Sequence, residues 1–426
     1  MLRAGRRALV NFLKMWFAPR SRDHADASSE QLHSVWACSY VSSDTMLRFA
    51  PSELTDAELA LQAEVREFLD AELPRGSFAP GLGMAAGRDK NFSRALAARG
   101  WLGMSLPRRY GGAERGVVDR FIVVEELLRW GAPIRYHWVA DRQTGPLILR
   151  YGTMAQRERF LPRICRGEVS FSIGMSESEA GSDLAAVQTR ATRTDGGWRV
   201  SGTKLWTGGA HENDWCVVLC RTSDEDDRHQ GLTQLIVDLR APGLTVRPIA
   251  YLDGSEFFNE VVLDDVFVAD DLVVGEVGAG WAQNTSELAY ERAGPERWLS
   301  TYLVAEQYLR EHGATDERAE AALGEAVAGW WGIRTLSLSV ARLLDAGQAP
   351  AAEAALVKEL GTRFEQEVLD TIWRLVPEGP DPAAESLFER LLAAAILGAP
   401  SFTIRGGTNE ILRSVAAKGV MTGGGR

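Results

Sequence analysis

What most limits the fold of this chain is a change of hydrophobic period along it. Between about residues 50 and 168, apolar residues recur at helical spacing. The first clear helix begins at Thr55, with Glu58 three residues on as a capping box. Leu54, Leu61, Val65, Phe68 and Leu69 form its stripe. Helical pattern returns at Phe92–Arg99, Val117–Trp130 and Met154–Ile164, separated by turns such as Pro107–Gly112. From Val169 to Gly275 the pattern becomes short β-branched and aromatic runs: Trp198–Val200, Trp215–Cys220, Gln234–Leu239, Leu244–Pro248 and Asn259–Leu263, with Asp195–Gly197 as a turn. From Gly280 longer helical stretches follow, at 281–311, 315–346, 350–376, 383–397 and 408–419.

This order predicts an α+β chain in three parts: an N-terminal helical domain over 46–168, a central antiparallel β domain over 169–278 and a C-terminal four-helix-type bundle over 279–426. Residues 1–45 read as an extension, disordered or not native. Met1–Arg22 is basic and amphipathic, too short to span a bilayer and without the apolar run of a signal peptide; a membrane-surface helix is the other reading. The stretch 21–45 is patternless, and Met46 stands just before the first helix.

A net charge of −11 argues against a nucleic-acid partner, which needs clustered Lys and Arg. An anionic ligand would need a local basic exception. The cysteines (Cys38, Cys165, Cys216, Cys220) form no CxxC pair and have no histidine at metal spacing, so no metal site is expected. Cys216 and Cys220 share one face of an apolar strand and read as buried small hydrophobes. A reducing cytoplasm fits this usage. No GxGxxG follows a strand, and neither a Walker loop nor HExxH occurs.

Three segments carry chemistry. Met175-Ser-Glu-Ser-Glu-Ala-Gly-Ser-Asp183 puts small and hydroxyl residues around a glycine, so that backbone amides can approach a ligand, with Ser176 and Ser182 as further donors. Alone, it reads equally as an acidic turn. Gly202-Thr-Lys-Leu-Trp-Thr-Gly-Gly-Ala-His211 follows an aromatic ring with backbone able to reach a planar ligand, although a lone Trp206 in a β region is usually core. In Thr403-Ile-Arg-Gly-Gly-Thr-Asn-Glu-Ile-Leu-Arg413, two glycines precede a threonine at a helix start, an arrangement that holds phosphate.

In this order and layout the three segments resemble the acyl-CoA dehydrogenase family over about residues 50 to 420. Further matches are Tyr151-Gly-Thr with Phe160-Leu-Pro-Arg, and Asp253-Gly with Phe258-Asn-Glu-Val and Asp264-Asp-Val. The resemblance implies an FAD-dependent enzyme that oxidises an acyl-CoA to its 2-enoyl product and passes electrons to an electron-transferring flavoprotein or similar acceptor. It implies that Met175, Ser176, Ser182, Trp206, Thr207 and Gly208 line the flavin, that Thr408 and Glu410 meet the pyrophosphate or adenosine, and that Ser182 also lies near the CoA arm. A base takes the α-proton while hydride leaves Cβ for flavin N5, and that base must be a carboxylate whose pKa is lifted by burial.

Many members carry the base directly before the Gly-Thr of the last segment, where this chain has Gly406. The resemblance then points to Glu291, within Leu288-Ala-Tyr-Glu-Arg-Ala-Gly294, with Arg292, Gly406 and Gly407 on the substrate side. Gly406 would face the thioester oxygen with its amide and widen the acyl pocket. This placement resembles a bacterial branch that includes members handling bulky, branched or steroid side-chain thioesters. The chain departs from the family in two segments that usually grip the FAD of the neighbouring subunit. Glu311-His-Gly-Ala replaces an Arg-x-x-Phe-Gly, and Trp373–Pro380 has nothing like a Gln-x-x-Gly-Gly. A homo-oligomer, or a hetero-oligomer with a related subunit, is therefore expected. Two alternatives stay open: a non-catalytic partner subunit, and an oxidase or monooxygenase of the same fold.

Overall fold

The computed structural model describes residues 47–49, 52–314, 316–376 and 379–422; the side chains of 85, 286–291 and 422 lie outside it. The expectations about Met1–Arg22, the stretch 21–45 and Met46 fall outside the described residues.

Helix α1, Asp56–Glu72, starts as expected. Thr55 Oγ1 accepts from the Glu58 amide, the Glu58 carboxylate accepts from the Thr55 amide, and Leu61, Val65, Phe68 and Leu69 are buried. The rest of the N-terminal helices are α2 Lys90–Ala98, α3 Val117–Trp130, α4 Gly145–Tyr151 and α5 Met154–Cys165. A π-helical turn, Ala140–Thr144, precedes α4. Such turns often mark functional positions.

Eight strands follow: β1 Phe171–Gly174, β2 Arg190–Thr194, β3 Gly197–Lys204, β4 Trp215–Arg221, β5 Leu232–Asp238, β6 Leu244–Ala250, β7 Glu256–Ala269 and β8 Val273–Val274. The sheet order is β6-β7-β3-β2-β4-β5-β8, with β1 paired to β4. Most pairings are antiparallel, but β1 and β2 both run parallel to β4, with Phe171 opposite Trp215 and Arg190 opposite Arg221. The reason is topological: β1 enters directly from α5, and the intervening β2–β3 hairpin turns the chain before β4, so no tight hairpin joins the pair. Cys216 and Cys220 are buried on β4, and burial pushes both thiols up to about 12.

The C-terminal helices are α6 Gly280–Arg292, α7 Tyr302–Glu311, α8 Glu317–Asp345, α9 Ala351–Trp373, α10 Leu387–Gly398 and α11 Asn409–Thr422. The single helix expected over 281–311 is broken by a 3-10 turn at Pro295–Arg297. Gly294 and Pro295 end α6, since proline has no amide to donate. The turn buries Glu296 and Arg297, at 2% and 1% exposure. One continuous core joins the two helical parts, with Phe68, Phe121, Trp298, Tyr302, Trp330 and Phe388 in the same cluster. Among the described residues, no helix is long and apolar enough to cross a membrane.

Candidate active site

The first two sequence motifs meet at the C-terminal ends of β1 and β3. Lys204, fully buried, donates to Glu177 at 2.7 Å and to the Met175 carbonyl at 3.0 Å. Glu177 also accepts from the amides of Gln188 and Thr189, closing the 175–189 loop. Burial works against the charge of Glu177, but the Lys204 ammonium and the hydrogen bonds from Lys204, Thr189 and Gln188 together hold the carboxyl below its ordinary value. The Leu205 amide donates to the Ser176 carbonyl at 2.9 Å, which ties the motifs directly together. Met175 and Ser176 are partly exposed, and Ser182 is exposed.

Trp206 sits at this junction with φ of +60° and 55% of its surface exposed. A left-handed tryptophan costs on the order of 1–3 kcal/mol. The neighbours enforce it: the Thr207 amide donates to the Asn259 carbonyl and Asn259 Nδ2 donates back to the Thr207 carbonyl. The ring therefore stands clear of the core, edge-on to Phe258 with centroids 6.2 Å apart. Thr207 is fully buried, and its Oγ1 has no hydrogen-bond partner among the described residues. Gly208 has no side chain for a steric reason: a Cβ would lie 2.7 Å from Phe257 Cζ.

The third motif lies in the C-terminal helical part, between α10 and α11. Gly406 and Gly407 both have positive φ, +70° and +91°, immediately before α11. Thr408 Oγ1 accepts from the Ile411 amide, and Glu410 is exposed. Fully buried Lys358 on α9 pins the loop, donating to the carbonyls of Thr403 and Gly407 and to Asn409 Oδ1. The space that Gly406 leaves is not open: a Cβ there would meet Arg297 Nη2 at 2.7 Å. A Cβ on Gly407 would lie 3.7 Å from Arg292 Nη2, so the last turn of α6 abuts this loop. Glu291 belongs to that turn; its side chain lies outside the described residues.

Around the loop is a set of buried charges that sequence patterning cannot see, because it assigns charges to the surface. Arg142, in the π-helical turn, pairs with Glu296 at 3.2 Å, both nearly fully buried. Arg405 pairs with Glu365 at 3.0 Å, and Ser300 donates its amide to the same carboxylate. Burial raises the Glu365 carboxyl in spite of Arg405. Burial, with Arg297 and Arg405 nearby, lowers Lys358 to about 7.

Lowering this pKa has a defined sign. Unfolded, Lys358 keeps its proton to well above neutrality, so between about pH 7 and its ordinary value the unfolded chain binds more protons. The burial penalty is full below pH 7 and is relieved as pH rises. Stability of the wild type relative to Lys358→Met is expected to rise above pH 7, by at most about 1.4 kcal/mol per pH unit. Denaturant unfolding of both proteins across this range checks it; a difference independent of pH contradicts it.

An exposed ring on strained backbone, a buried hydroxyl with no partner among the described residues, and a two-glycine turn entering a helix are features that fit a large planar, phosphate-bearing cofactor. The chain belongs to the acyl-CoA dehydrogenase family: the N-terminal, middle and C-terminal domain models of that family match residues 55–168, 172–266 and 278–421. It is 35% identical over 330 residues to the acyl-CoA dehydrogenase FadE34 of Mycobacterium tuberculosis, covering 76% of this chain and 45% of FadE34, so it spans less than half of that relative. Among solved structures it is similar to the Tcur3481-Tcur3483 steroid ACAD (TM-score 0.75, 28% identity, 86% of this chain and 97% of the other). It is also similar to a chain of the ChsE4-ChsE5 complex from Mycobacterium tuberculosis (TM-score 0.75, 25% identity, 87% and 98%). Enzymes of this family are FAD-dependent oxidoreductases, and Trp206, Thr207 and the Gly406–Thr408 turn fit that cofactor.

Replacing Trp206 by Ala leaves the strained φ as it is, since both residues carry a Cβ, and removes little buried surface. The flavin-free melting temperature is expected to change little, while flavin retention falls about tenfold, the loss of a stacking partner. Melting of the apoprotein and flavin content after gel filtration check this; a variant that mainly melts lower makes Trp206 a packing residue.

Proposed function

We propose that this chain is the catalytic subunit of an FAD-dependent acyl-CoA dehydrogenase that uses Glu291 as general base. The observation that carries this reading is the crowding at Gly406. Any side chain at 406 would be strained at φ +70° and would meet the end of Arg297, while the α6 turn that carries Glu291 and Arg292 abuts Gly407. FAD, when bound, supplies the acceptor for the hydride that leaves Cβ. The chain's own residues do the rest. Glu291 takes the proton from Cα, the electron pair left behind forms the Cα–Cβ double bond as the Cβ hydride departs, and the product is a 2-enoyl-CoA. Backbone amides of the Gly406–Gly407 turn are the donors for the thioester oxygen as charge develops on it, and Arg292, 8% exposed, adds positive potential. Met175, Ser176, Ser182, Thr207 and Gly208 hold the flavin edge; Thr408 and Glu410 serve its phosphate and adenosine end.

The steroid enzyme among the similar structures supports a bulky acyl group as substrate, and the two-component ChsE4-ChsE5 assembly supports a hetero-oligomer. An electron-transferring flavoprotein or similar protein is the acceptor in this reading, and a cytoplasmic location accords with three buried free thiols. Steady-state assay with an artificial acceptor under argon, compared with oxygen alone, tests the reading. Turnover with the acceptor and formation of enoyl-CoA support it; turnover that needs oxygen makes the chain an oxidase or monooxygenase.

A further inference from the structure

A cavity of about 120 Å³ opens between the helical domain and the sheet. Trp138, Val139, Ile173, Phe257 and Phe258 make its walls mostly apolar, and Gly208 and Gly209 of the tryptophan motif line it from below. Cavities of about this size accept a single ring. Its rim is charged. Arg88 Nε lies 3.8 Å and Arg135 Nη2 3.6 Å from one carboxylate, Glu212. Arg88 also donates to the Glu212 carbonyl at 2.8 Å. The Nε of each arginine is buried and makes no hydrogen bond among the described residues.

The other charges nearby do not cancel this excess. Lys90 adds a cation over Tyr136, His211 stands 4.0 Å from Glu212, and Asp89 is occupied capping α2. Two guanidinium groups thus share one carboxylate with donors to spare. The rings beneath hold them in place: Arg88 lies over Tyr136 and Arg135 over Phe257. Gly208 places the cavity beside the tryptophan motif, and a chain of contacts leads from it toward α6. Trp138 lines the cavity, Arg142 lies over its ring at 5.4 Å, and Arg142 pairs with Glu296, five residues after Glu291.

We propose that this cavity binds the far end of the acyl group, a ring-sized apolar unit carrying a carboxylate, with Arg88 and Arg135 as the partners of that carboxylate. The proposal rests on the acyl-CoA reading above and names its substrate class. Aromatic walls take the ring, and the excess positive charge selects an anionic end over a methyl one, since charge-assisted pairs to arginine are directional and strong. Glu212 is a built-in competitor that keeps the two arginines apart and aimed while the cavity is empty.

The test uses the FAD-bound protein and two CoA thioethers, which have no thioester carbonyl and cannot be oxidised: one ending in cyclohexyl, one in 4-carboxycyclohexyl. Wild type is expected to bind the carboxylate form at least tenfold more tightly. Arg88→Gln/Arg135→Gln is expected to erase that ratio, and Glu212→Gln to increase it, because it frees both arginines. The two variants move in opposite directions, so Glu212→Gln decides the matter if the double variant fails to fold. Equal binding of both thioethers to wild type, or a ratio unmoved by Glu212→Gln, overturns the cavity assignment alone. Failure of both thioethers to bind at all overturns the acyl-CoA reading and this proposal with it.

Discussion

Purified by itself, the chain is expected to hold FAD at least a hundredfold more weakly than when a related subunit is expressed with it. The resemblance to the acyl-CoA dehydrogenase family implies a cofactor clasped by two chains, the second giving an arginine, an aromatic ring and a glycine-rich segment to the adenosine and pyrophosphate. Here the stretch that would carry the arginine is committed to its own bundle. Glu311 accepts from Ser386 Oγ and the Phe388 amide, capping the start of α10, and His312 stacks on Tyr308 at 5.0 Å. Losing two charge-assisted hydrogen bonds of roughly 1.5–3 kcal/mol each weakens binding by on the order of a hundredfold or more. The same bundle leaves Trp331, Trp373, Ile404 and Ile411 exposed by 42% or more, an apolar surface that an assembly would cover. Flavin stoichiometry after purification, alone and with a co-expressed homologue, checks this. One tightly bound FAD per chain in the protein alone contradicts it.

Glu291→Gln is expected to keep the fold and any bound flavin while lowering turnover by about 10² to 10⁴, the usual contribution of a positioned general base. Glutamine matches glutamate in size and cannot take a proton, so a loss of rate with unchanged melting and flavin content isolates the proton transfer. Adding Gly406→Glu to this variant is not expected to restore turnover. Position 406 has φ of +70°, which strains any residue but glycine, and its Cβ would press on the Arg297 guanidinium. Stopped-flow reduction by acyl-CoA, with melting curves for each variant, is the measurement. Normal reduction by Glu291→Gln removes the assignment, and recovery in the double variant shows that Arg297 yields.

Much of the fold was legible because period is a strong signal. The Thr55 box, the Val117–Trp130 helix and the Trp215 strand all follow from local pattern and capping chemistry. The parallel pairing of β1 with β4 was not, since pairing direction depends on how the chain returns. The loop motifs could be located from glycine, tryptophan and hydroxyl residues. Their connection, through Lys204 to Glu177 and Met175, could not be read, because a lysine on a strand looks solvent-facing until the fold closes over it. The same blindness hid Arg297, Lys358 and Glu296, and the end of Arg297 reaches the space beside Gly406. Arg88 and Arg135 carry no motif either; only the packing of α2 and the 135–142 segment against the sheet brings them to one carboxylate.

The most direct test of the account is anaerobic titration of the FAD-loaded assembly with a panel of acyl-CoAs, following the visible flavin absorbance and the thioester product together. The account predicts that at least one bulky acyl-CoA bleaches the flavin and yields its 2-enoyl-CoA in equal amount. Flavin that stays oxidised in the presence of every thioester would contradict it.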